Sequence, residues 1–217
     1  GPQPDSTDYN GGNYQDRYKV LAEIRKALEA GDRQKAKQLA EENLVGPNNA
    51  QYGRYLSFGD IFMVFNNQKK GLENVTDYHR DLDITEAITT TSYSQDGTTF
   101  KRETFSSYPD DVTVTHLSKK GDKTLDFTLW NSLTEDLLAN GDYSWEYSKY
   151  KQGAVTTDSN GILLKGTVKD NGLQFASYLG IKTDGQVTAQ DGYLTVTGAS
   201  YATLLLSAKT NFAQNPK

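Results

Sequence analysis

The stretch TDYHRDLD, residues 76–83, contains the side chains of this chain that are best suited to acid–base chemistry. It holds His79, one of two histidines, and the carboxylates Asp81 and Asp83. In a β-strand these three side chains lie on one face, and residues two apart start roughly 6.6 Å from each other. Inverting glycosidases hold their two carboxyl groups about 6.5–9.5 Å apart, with water between them. The spacing is therefore compatible with half of a glycosidase active site.

A solvated strand face explains the same residues. A catalytic acid and its base need different surroundings, with one carboxyl group buried and the other in a polar environment. Asp81 and Asp83 share one face and hence one environment, and any two aspartates at this spacing would pass the distance test. We therefore interpret them as surface residues, and we interpret His79 and His116 as hydrogen-bonded strand histidines.

A second stretch, YSWEYSKY at residues 143–150, carries a strip of aromatic side chains. Tyr143, Trp145 and Tyr147 would share one face of a strand and present apolar rings on which a sugar could stack. Aromatic residues are also frequent in strands and dominate cores. The sequence favours the core, and a sugar-stacking platform of Trp145, Tyr147 or Trp130 stays open as the alternative.

Several kinds of catalytic and cofactor site are excluded by what the chain lacks. Without cysteine there are no disulfides, thiol nucleophiles or zinc–thiolate sites, and two histidines cannot form a three-histidine metal site. The nucleophile elbow G-x-S-x-G and the phosphate-binding loops G-x-x-x-x-G-K-S/T and G-x-G-x-x-G are absent. We expect no catalytic, cofactor-binding or metal-binding residue, and no cofactor.

Charge and hydropathy narrow the class of protein further. The 217 residues carry a formal charge of −5 with no basic face, so we expect no nucleic-acid partner. No apolar run approaches the roughly 18 residues of a membrane span. A chain without cysteine fits the cytoplasm and also a bacterial surface. The localisation stays open, and an extracellular or cell-surface bacterial location is favoured.

Residues 17–45 have the spacing of a helical hairpin, after an irregular stretch at 1–16. Asp16 and Asp32 stand where side chains cap helix N-termini, and Gly31 stands where a left-handed residue ends a helix. The apolar stripes are Val20, Leu21, Ile24, Ala27 and Leu28, then Ala36, Leu39, Ala40 and Leu44. We predict two helices that pack on the body of the domain through these stripes.

Residues 56–212 have the composition and turn spacing of β-strands, about a dozen of them. Asp96-Gly97 is a strong hairpin signal, and a second turn is predicted near Lys120-Gly121. Further turns are predicted at Asn160-Gly161, Asn171-Gly172, Asp184-Gly185 and Asp191-Gly192. The prediction is a mainly β fold: one large antiparallel β-sandwich over residues 1–217, with the helical hairpin packed on it.

Three stretches together resemble the N-terminal domain of glycoside hydrolase family 95, the α-L-fucosidases. The first is the helical pair followed by the strand that starts at Phe58-Gly59-Asp60. The second is DYHRDLD with the following RETFSSYPD, residues 77–83 and 102–110, and the third is GASYATLLLSAKTNF, residues 198–212. Their order and spacing cover nearly the whole chain, and residues 133–172 match least.

The resemblance implies a large β-sandwich, a super-sandwich, that precedes an (α/α)6 catalytic barrel. It implies a parent enzyme that hydrolyses terminal α-1,2-linked L-fucose with inversion and without a metal. In that family the catalytic glutamate, asparagine and aspartate belong to the barrel, which is absent from this chain, so this chain alone is expected to be inactive. Its expected partner is the barrel of the same polypeptide, near which the helices at 17–45 would pack. The alternatives are a carbohydrate-binding module for fucosylated glycans and a surface adhesion domain of a larger bacterial protein.

The resemblance also predicts structural details. His79 stands where the family has an arginine, which argues against a proton-transfer role. Asp81 and Asp83 stand at acidic positions, where we expect a structural contact, for instance with Arg102. Because the first strands of the family are missing, a sheet edge or an apolar groove is expected to be open, which favours self-association.

Overall fold

The structure is a computed structural model that describes residues 16–44, 57–65, 74–134, 151–169 and 172–212. The chain divides into two compact units, Gly1–Leu56 and Ser57–Lys217. The single domain over 1–217 and the packing of the helices on the sandwich therefore stay predictions. Among the described residues, no helix has both the length and the apolar character needed to cross a membrane.

The first unit contains the predicted helical hairpin. A 3-10 turn at Arg17–Val20 leads into helix α1, Leu21–Glu29, and helix α2 follows at Arg33–Asn43. The side chains that hold the two helices together are Ile24, Ala27 and Ala36, which are buried, with Val20, Leu39 and Ala40 packed around them. The remaining residues of the predicted stripes, Leu21, Leu28 and Leu44, are exposed.

The ends of these helices follow the predicted signals in two cases out of three. The Asp32 carboxylate accepts a hydrogen bond from the backbone N–H of Lys35 at 3.0 Å and caps α2. Gly31 ends α1 in the left-handed conformation, with φ of +75°. The capping predicted for the Asp16 side chain is wrong, because Asp16 is itself left-handed and its carbonyl accepts from Lys19 to close the 3-10 turn.

The second unit contains twelve described strands, all paired antiparallel. In chain order they are β1 Ile61–Phe65, β2 Val75–Asp83, β3 Ile88–Gln95, β4 Thr98–Ser107, β5 Val112–Lys120, β6 Leu125–Asn131, β7 Lys151–Asp158, β8 Gly161–Val168, β9 Gln174–Thr183, β10 Gln186–Gln190, β11 Tyr193–Ala199 and β12 Tyr201–Thr210. The described strands agree with the prediction of about a dozen, and the strand expected at 143–150 lies outside the described residues.

The strands form two sheets that enclose one core. The small sheet has the order β1-β6-β11-β10, and the large sheet has the order β2-β3-β4-β5-β12-β9-β8-β7. The largest fully buried apolar side chains of the strands are Leu125, Phe127, Leu129, Leu194 and Val196 in the small sheet and Ile162 and Leu164 in the large sheet. Burial of each such side chain contributes about 1.5–3 kcal/mol. The face of each sheet toward this core is called inner here, and the opposite face outer.

Two of the predicted turns are tight hairpins. Asp96-Gly97 joins β3 to β4 with both residues at positive φ, 47° and 78°, and Asp191-Gly192 joins β10 to β11 with 48° and 84°. Two positive values of φ match the backbone twist of antiparallel strands. The turn near Lys120-Gly121 is different, because β5 and β6 belong to different sheets. This turn is a crossover between the sheets and forms no hairpin.

Asp184 holds a second crossover, from β9 in the large sheet to β10 in the small sheet. Its carboxylate accepts hydrogen bonds from the hydroxyl of Ser200 and from the backbone N–H groups of Ser200 and Tyr201, the latter two at 2.8 and 3.2 Å. The bonds from Ser200 stabilise the ionised carboxylate and lower the pKa of Asp184 below its ordinary value of 3.8. One side chain therefore ties this crossover to the connection between β11 and β12.

The segment Phe58-Gly59-Asp60 leads into β1 and is anchored on the end of β6. The backbone N–H of Asp60 donates to the Ser132 hydroxyl, and the Ser132 N–H donates to the Asp60 carbonyl, both at 2.9 Å. Gly59 has φ of +102°, and a Cβ atom there would lie 2.1 Å from Oδ1 of the buried Asn131. Both backbone conformation and space therefore require glycine at this position.

We predict that Gly59→Ala lowers the free energy of unfolding by about 3 kcal/mol, since left-handed strain adds to overpacking against Asn131. Gly97→Ala is the matched control, because Gly97 also has positive φ but a Cβ there would meet no atom within 4 Å. It should cost about 1 kcal/mol. Urea unfolding of both variants measures the difference. Equal losses would show that contact with Asn131 does not set the requirement for glycine.

Candidate interaction surfaces

The stretch TDYHRDLD lies in β2, the edge strand of the large sheet. His79, Asp81 and Asp83 are opposite Ser92, Thr90 and Ile88 of β3, which places all three on the outer face, as predicted. All three side chains are exposed to solvent. An exposed strand face gives both carboxylates the same environment, so this arrangement lacks the asymmetry that an acid and its base need.

Asp83 has a structural contact of its own. Its Oδ1 accepts hydrogen bonds from the backbone N–H groups of Thr85 and Glu86, at 2.8 and 3.1 Å, and so shapes the turn into β3. The predicted contact between these aspartates and Arg102 is wrong. Arg102 is opposite Thr91, in the register row next to that of Asp81, and therefore lies on the inner face.

His116 behaves as an ordinary strand histidine. Its Nδ1 is 2.9 Å from the hydroxyl oxygen of Thr203 on the neighbouring strand β12, and its ring lies near that of Tyr201. This confirms the predicted hydrogen-bonded role. No group of three or more histidine, aspartate or glutamate side chains in the part of the chain that the structure describes is placed to hold a metal ion.

Trp130 lies in a row of three aromatic rings on the outer face of the small sheet. Its ring stacks on Phe62 of β1 with centroids 5.1 Å apart, and it is 5.5 Å from Tyr193 of β11. Since β1 and β11 flank β6, the two neighbouring rings approach the indole from opposite sides. The other proposed sugar-stacking residues, Trp145 and Tyr147, lie outside the described residues. The sugar-stacking role of all three stays a prediction.

The outer face of the large sheet carries an apolar surface that the sequence analysis missed. Phe105, Val114 and Leu205 are opposite one another on β4, β5 and β12. Phe105 is 40% exposed, Leu205 is 38% exposed, and Tyr178 of β9 beside them is 43% exposed. These four residues are called the outer patch. Large apolar side chains grouped on an exposed sheet face indicate an interaction site.

The sequence of β8 explains how the Tyr178 ring of the outer patch packs. A Cβ on Gly161 would come within 2.8 Å of the Tyr178 ring, so the glycine lets the ring lie against the backbone of β8. The sequence signal for the patch was the run Leu204-Leu205-Leu206 in β12. A strand with one solvated face alternates apolar and polar residues, whereas consecutive leucines indicate that both faces are to be covered.

The chain matches one protein family and parts of two longer proteins. Residues 1–215 match the family described as Glycosyl hydrolase family 65, N-terminal domain. The chain is 25% identical over 217 residues to Alpha-L-fucosidase 2 of Arabidopsis thaliana, a match that covers 89% of this chain and 24% of that protein. Among solved structures, a protein from the human microbiome that is named as a kojibiose phosphorylase matches with a TM-score of 0.48 and 12% identity, over 72% of this chain and 22% of that chain. The chain thus spans less than a quarter of the length of either protein.

The contacts of Asp83 predict a difference between the two aspartates of β2. Asp83→Ala should lower the free energy of unfolding by about 1 kcal/mol, because two backbone N–H groups lose their acceptor. Asp83→Asn, which keeps an acceptor oxygen, should recover most of this loss. Asp81→Ala is the matched control and should change stability by less than about 0.5 kcal/mol. Chemical denaturation measures all three, and an equal loss for Asp81→Ala would contradict the structural role assigned to Asp83.

Proposed function

The chain belongs to the family of N-terminal domains of glycosyl hydrolase family 65, and we propose that it is the non-catalytic N-terminal domain of a larger enzyme of the α-L-fucosidase type. The family match supports one part of the resemblance noted in the sequence, namely that the chain is an N-terminal domain of a glycoside hydrolase. The likeness to Alpha-L-fucosidase 2 favours the more specific part, which is assignment to family 95. On this proposal the whole enzyme removes terminal α-1,2-linked L-fucose with inversion, and its catalytic residues lie in the barrel.

The observation that carries this proposal is the extent of the match. Nearly the whole chain aligns with about a quarter of a protein named as a fucosidase, so a domain of this kind occurs beside a much longer remainder in that relative. The geometry of β2 supports a non-catalytic role, because Asp81 and Asp83 share an exposed face and Asp83 supports a turn. A domain of this kind contributes by holding and orienting the domain that does the chemistry.

The outer patch is the surface that we assign to this contact. Phe105, Leu205 and Tyr178 lie on the middle strands of the large sheet, so their backbone is held by neighbours on both sides. Burial of apolar surface against a barrel contributes roughly 25 cal/mol per Å². Strands that are paired on both sides can make such a contact with little loss of conformational entropy. The patch therefore suits a permanent interface between domains.

A charge placed in the outer patch tests this assignment in an enzyme that carries both this domain and the barrel. Phe105→Asp should lower the stability of that enzyme by about 2 kcal/mol or more, because the carboxylate would be buried at the interface without a partner. In the 217-residue chain alone, the same substitution lies on an exposed surface and should change stability much less. Thr188→Asp, on the exposed outer face of β10, is the control and should be neutral in both proteins.

Assay of the 217-residue chain on 2′-fucosyllactose completes this test, with no release of fucose expected. Turnover by the chain alone would refute the non-catalytic role. If Phe105→Asp lowers the stability of the chain and of the longer enzyme equally, the outer patch is not part of the interface with the barrel.

A carbohydrate-binding module is the second candidate function, and the aromatic row favours it. Phe62 is 43% exposed, and Trp130 and Tyr193 continue the row across three strands. Because Phe62 and Tyr193 flank the indole, a sugar would contact mainly the upper edges of the rings. Titration with fucosylated and galactosylated glycans tests this function. Saturable binding that is lost in Trp130→Ala, with the fold intact, would favour it, and absence of binding would exclude it for this row.

A further inference from the structure

The two sheets of the sandwich differ in their number of described strands, and part of the large sheet has no described strand facing it. The small sheet has four described strands and the large sheet has eight. Ile61 and Met63 of β1 face Arg102 of β4 across a cavity of about 210 Å³, and Phe65 shares a smaller cavity with Arg102 and Thr91. A next strand beside β1, about 4.8 Å further along, would therefore lie over β3 and β2.

In the part of the chain that the structure describes, β1 has no neighbouring strand on the side where that strand would lie. Among the described residues, β1 pairs with β6 alone, so one row of its backbone N–H and C=O groups is left for another strand. On the large sheet below, Leu82 is 59% exposed and Tyr78 is 61% exposed. Leu82 is opposite Thr89, on the inner face. An open edge above exposed apolar side chains is a site at which a strand can add.

Arg102 gives this site a charge preference. Its side chain is half-buried, its Nε atom is buried without a hydrogen-bond partner, and the described residues provide no ion pair for it. A half-buried guanidinium whose Nε has no partner is unfavourable, whereas a guanidinium and a carboxylate form two charge-assisted hydrogen bonds. The position of Arg102 therefore favours binding of a carboxylate beside it.

The neighbouring side chains strengthen this preference. Arg80, Thr91 and Arg102 are opposite one another on β2, β3 and β4, so two arginines lie in one inner-face row. The inner faces of β3, β4 and β5 carry no carboxylate; their residues are Thr89, Thr91, Tyr93, Gln95, Thr98, Phe100, Arg102, Thr104, Ser106, Thr113, Thr115, Leu117 and Lys119. Asp77 lies in the bulge of β2, where its carboxylate accepts from the Thr76 hydroxyl.

We propose that this site binds an acidic β-strand, which pairs with the open edge of β1 and directs a carboxylate to Arg102. The site is called the β1 notch and consists of the edge of β1 with Arg80, Leu82 and Arg102. Backbone pairing supplies affinity, and the inward carboxylate supplies specificity. The proposal does not depend on the function proposed above, since it concerns a different face of the sandwich from the outer patch.

A second copy of the chain fits the β1 notch less well. Two copies joined through β1 would bring together IFMVF and IFMVF, residues 61–65, which contain no acid for Arg102. Among the other described edge strands, β10 has no carboxylate. Pairing through β2 of a second copy would bring acids, and the experiment below separates that case by the oligomeric state.

Two capped peptides of seven residues test the proposal on the 217-residue chain. Acetyl-TVTETVT-amide directs valine, glutamate and valine to one face, and acetyl-TVTQTVT-amide differs only in the neutral glutamine. We expect the glutamate peptide to bind about tenfold more tightly or better, which corresponds to about 1.4 kcal/mol. Its binding should slow hydrogen exchange at the amides of Ile61–Phe65.

Variants of the chain show whether Arg102 is responsible. Arg102→Met should abolish the difference between the peptides. It should also raise the melting temperature of the free chain, because it removes a half-buried guanidinium whose Nε has no partner. Lys182→Met removes an exposed cation from the outer face of β9 and should leave the difference unchanged. If Arg102→Met does not fold, Arg102→Gln serves in its place, with the same expectation for the peptides.

Three results would overturn the proposal. One is equal binding, or no binding, of the two peptides. Another is protection of amides elsewhere than β1 when the glutamate peptide binds. The third is a dimer of the free chain that sedimentation detects and that Arg102→Met dissociates, which would assign the β1 notch to a second copy.

Discussion

The last strand, β12, is the constraint on which the second unit depends. It lies between β5 and β9 and pairs with both, so it joins the run β2-β3-β4-β5 to the run β9-β8-β7 in one sheet of eight strands. Leu204 then faces the core, and Leu205 completes the outer row with Phe105 and Val114. Core and outer surface thus depend on the pairing of β12 with β5, which brings together residues far apart in the sequence.

Strand register decides which residues can act together. Side chains alternate between faces, so neighbours in the sequence separate and residues far apart in the sequence meet. The stretch TDYHRDLD is divided in this way: His79 and Asp81 lie outward in solvent, whereas Arg80 lies inward in a row with Arg102. The spacing of its carboxylates is compatible with half of an active site, but their shared exposure to solvent is not. On its inward side, Arg80 and Arg102 share a register row that holds no carboxylate.

Local features of the fold could be predicted because each depends on a few adjacent residues. The Asp96-Gly97 hairpin needs two residues that tolerate positive φ, and the Asp32 cap needs an acceptor three residues before Lys35. Features that the sequence did not reveal depend on distant partners. The turn at Lys120-Gly121 joins two sheets, and Arg102 faces away from the aspartates of β2. The residues near a turn do not indicate which sheet the next strand will join.

The sequence by itself determined the order and kind of the elements, the absence of cysteine chemistry, and the likeness to an N-terminal domain of glycoside hydrolases. These follow from residue types and short-range spacing, which do not depend on how the strands pair. Only the tertiary structure decided that Phe105, Val114 and Leu205 form one surface and that Arg80 and Arg102 share one inner-face row. The physical reason is that the strands beside and opposite a strand decide which of its faces is buried and which is exposed. Those partners are set by pairing across the whole chain.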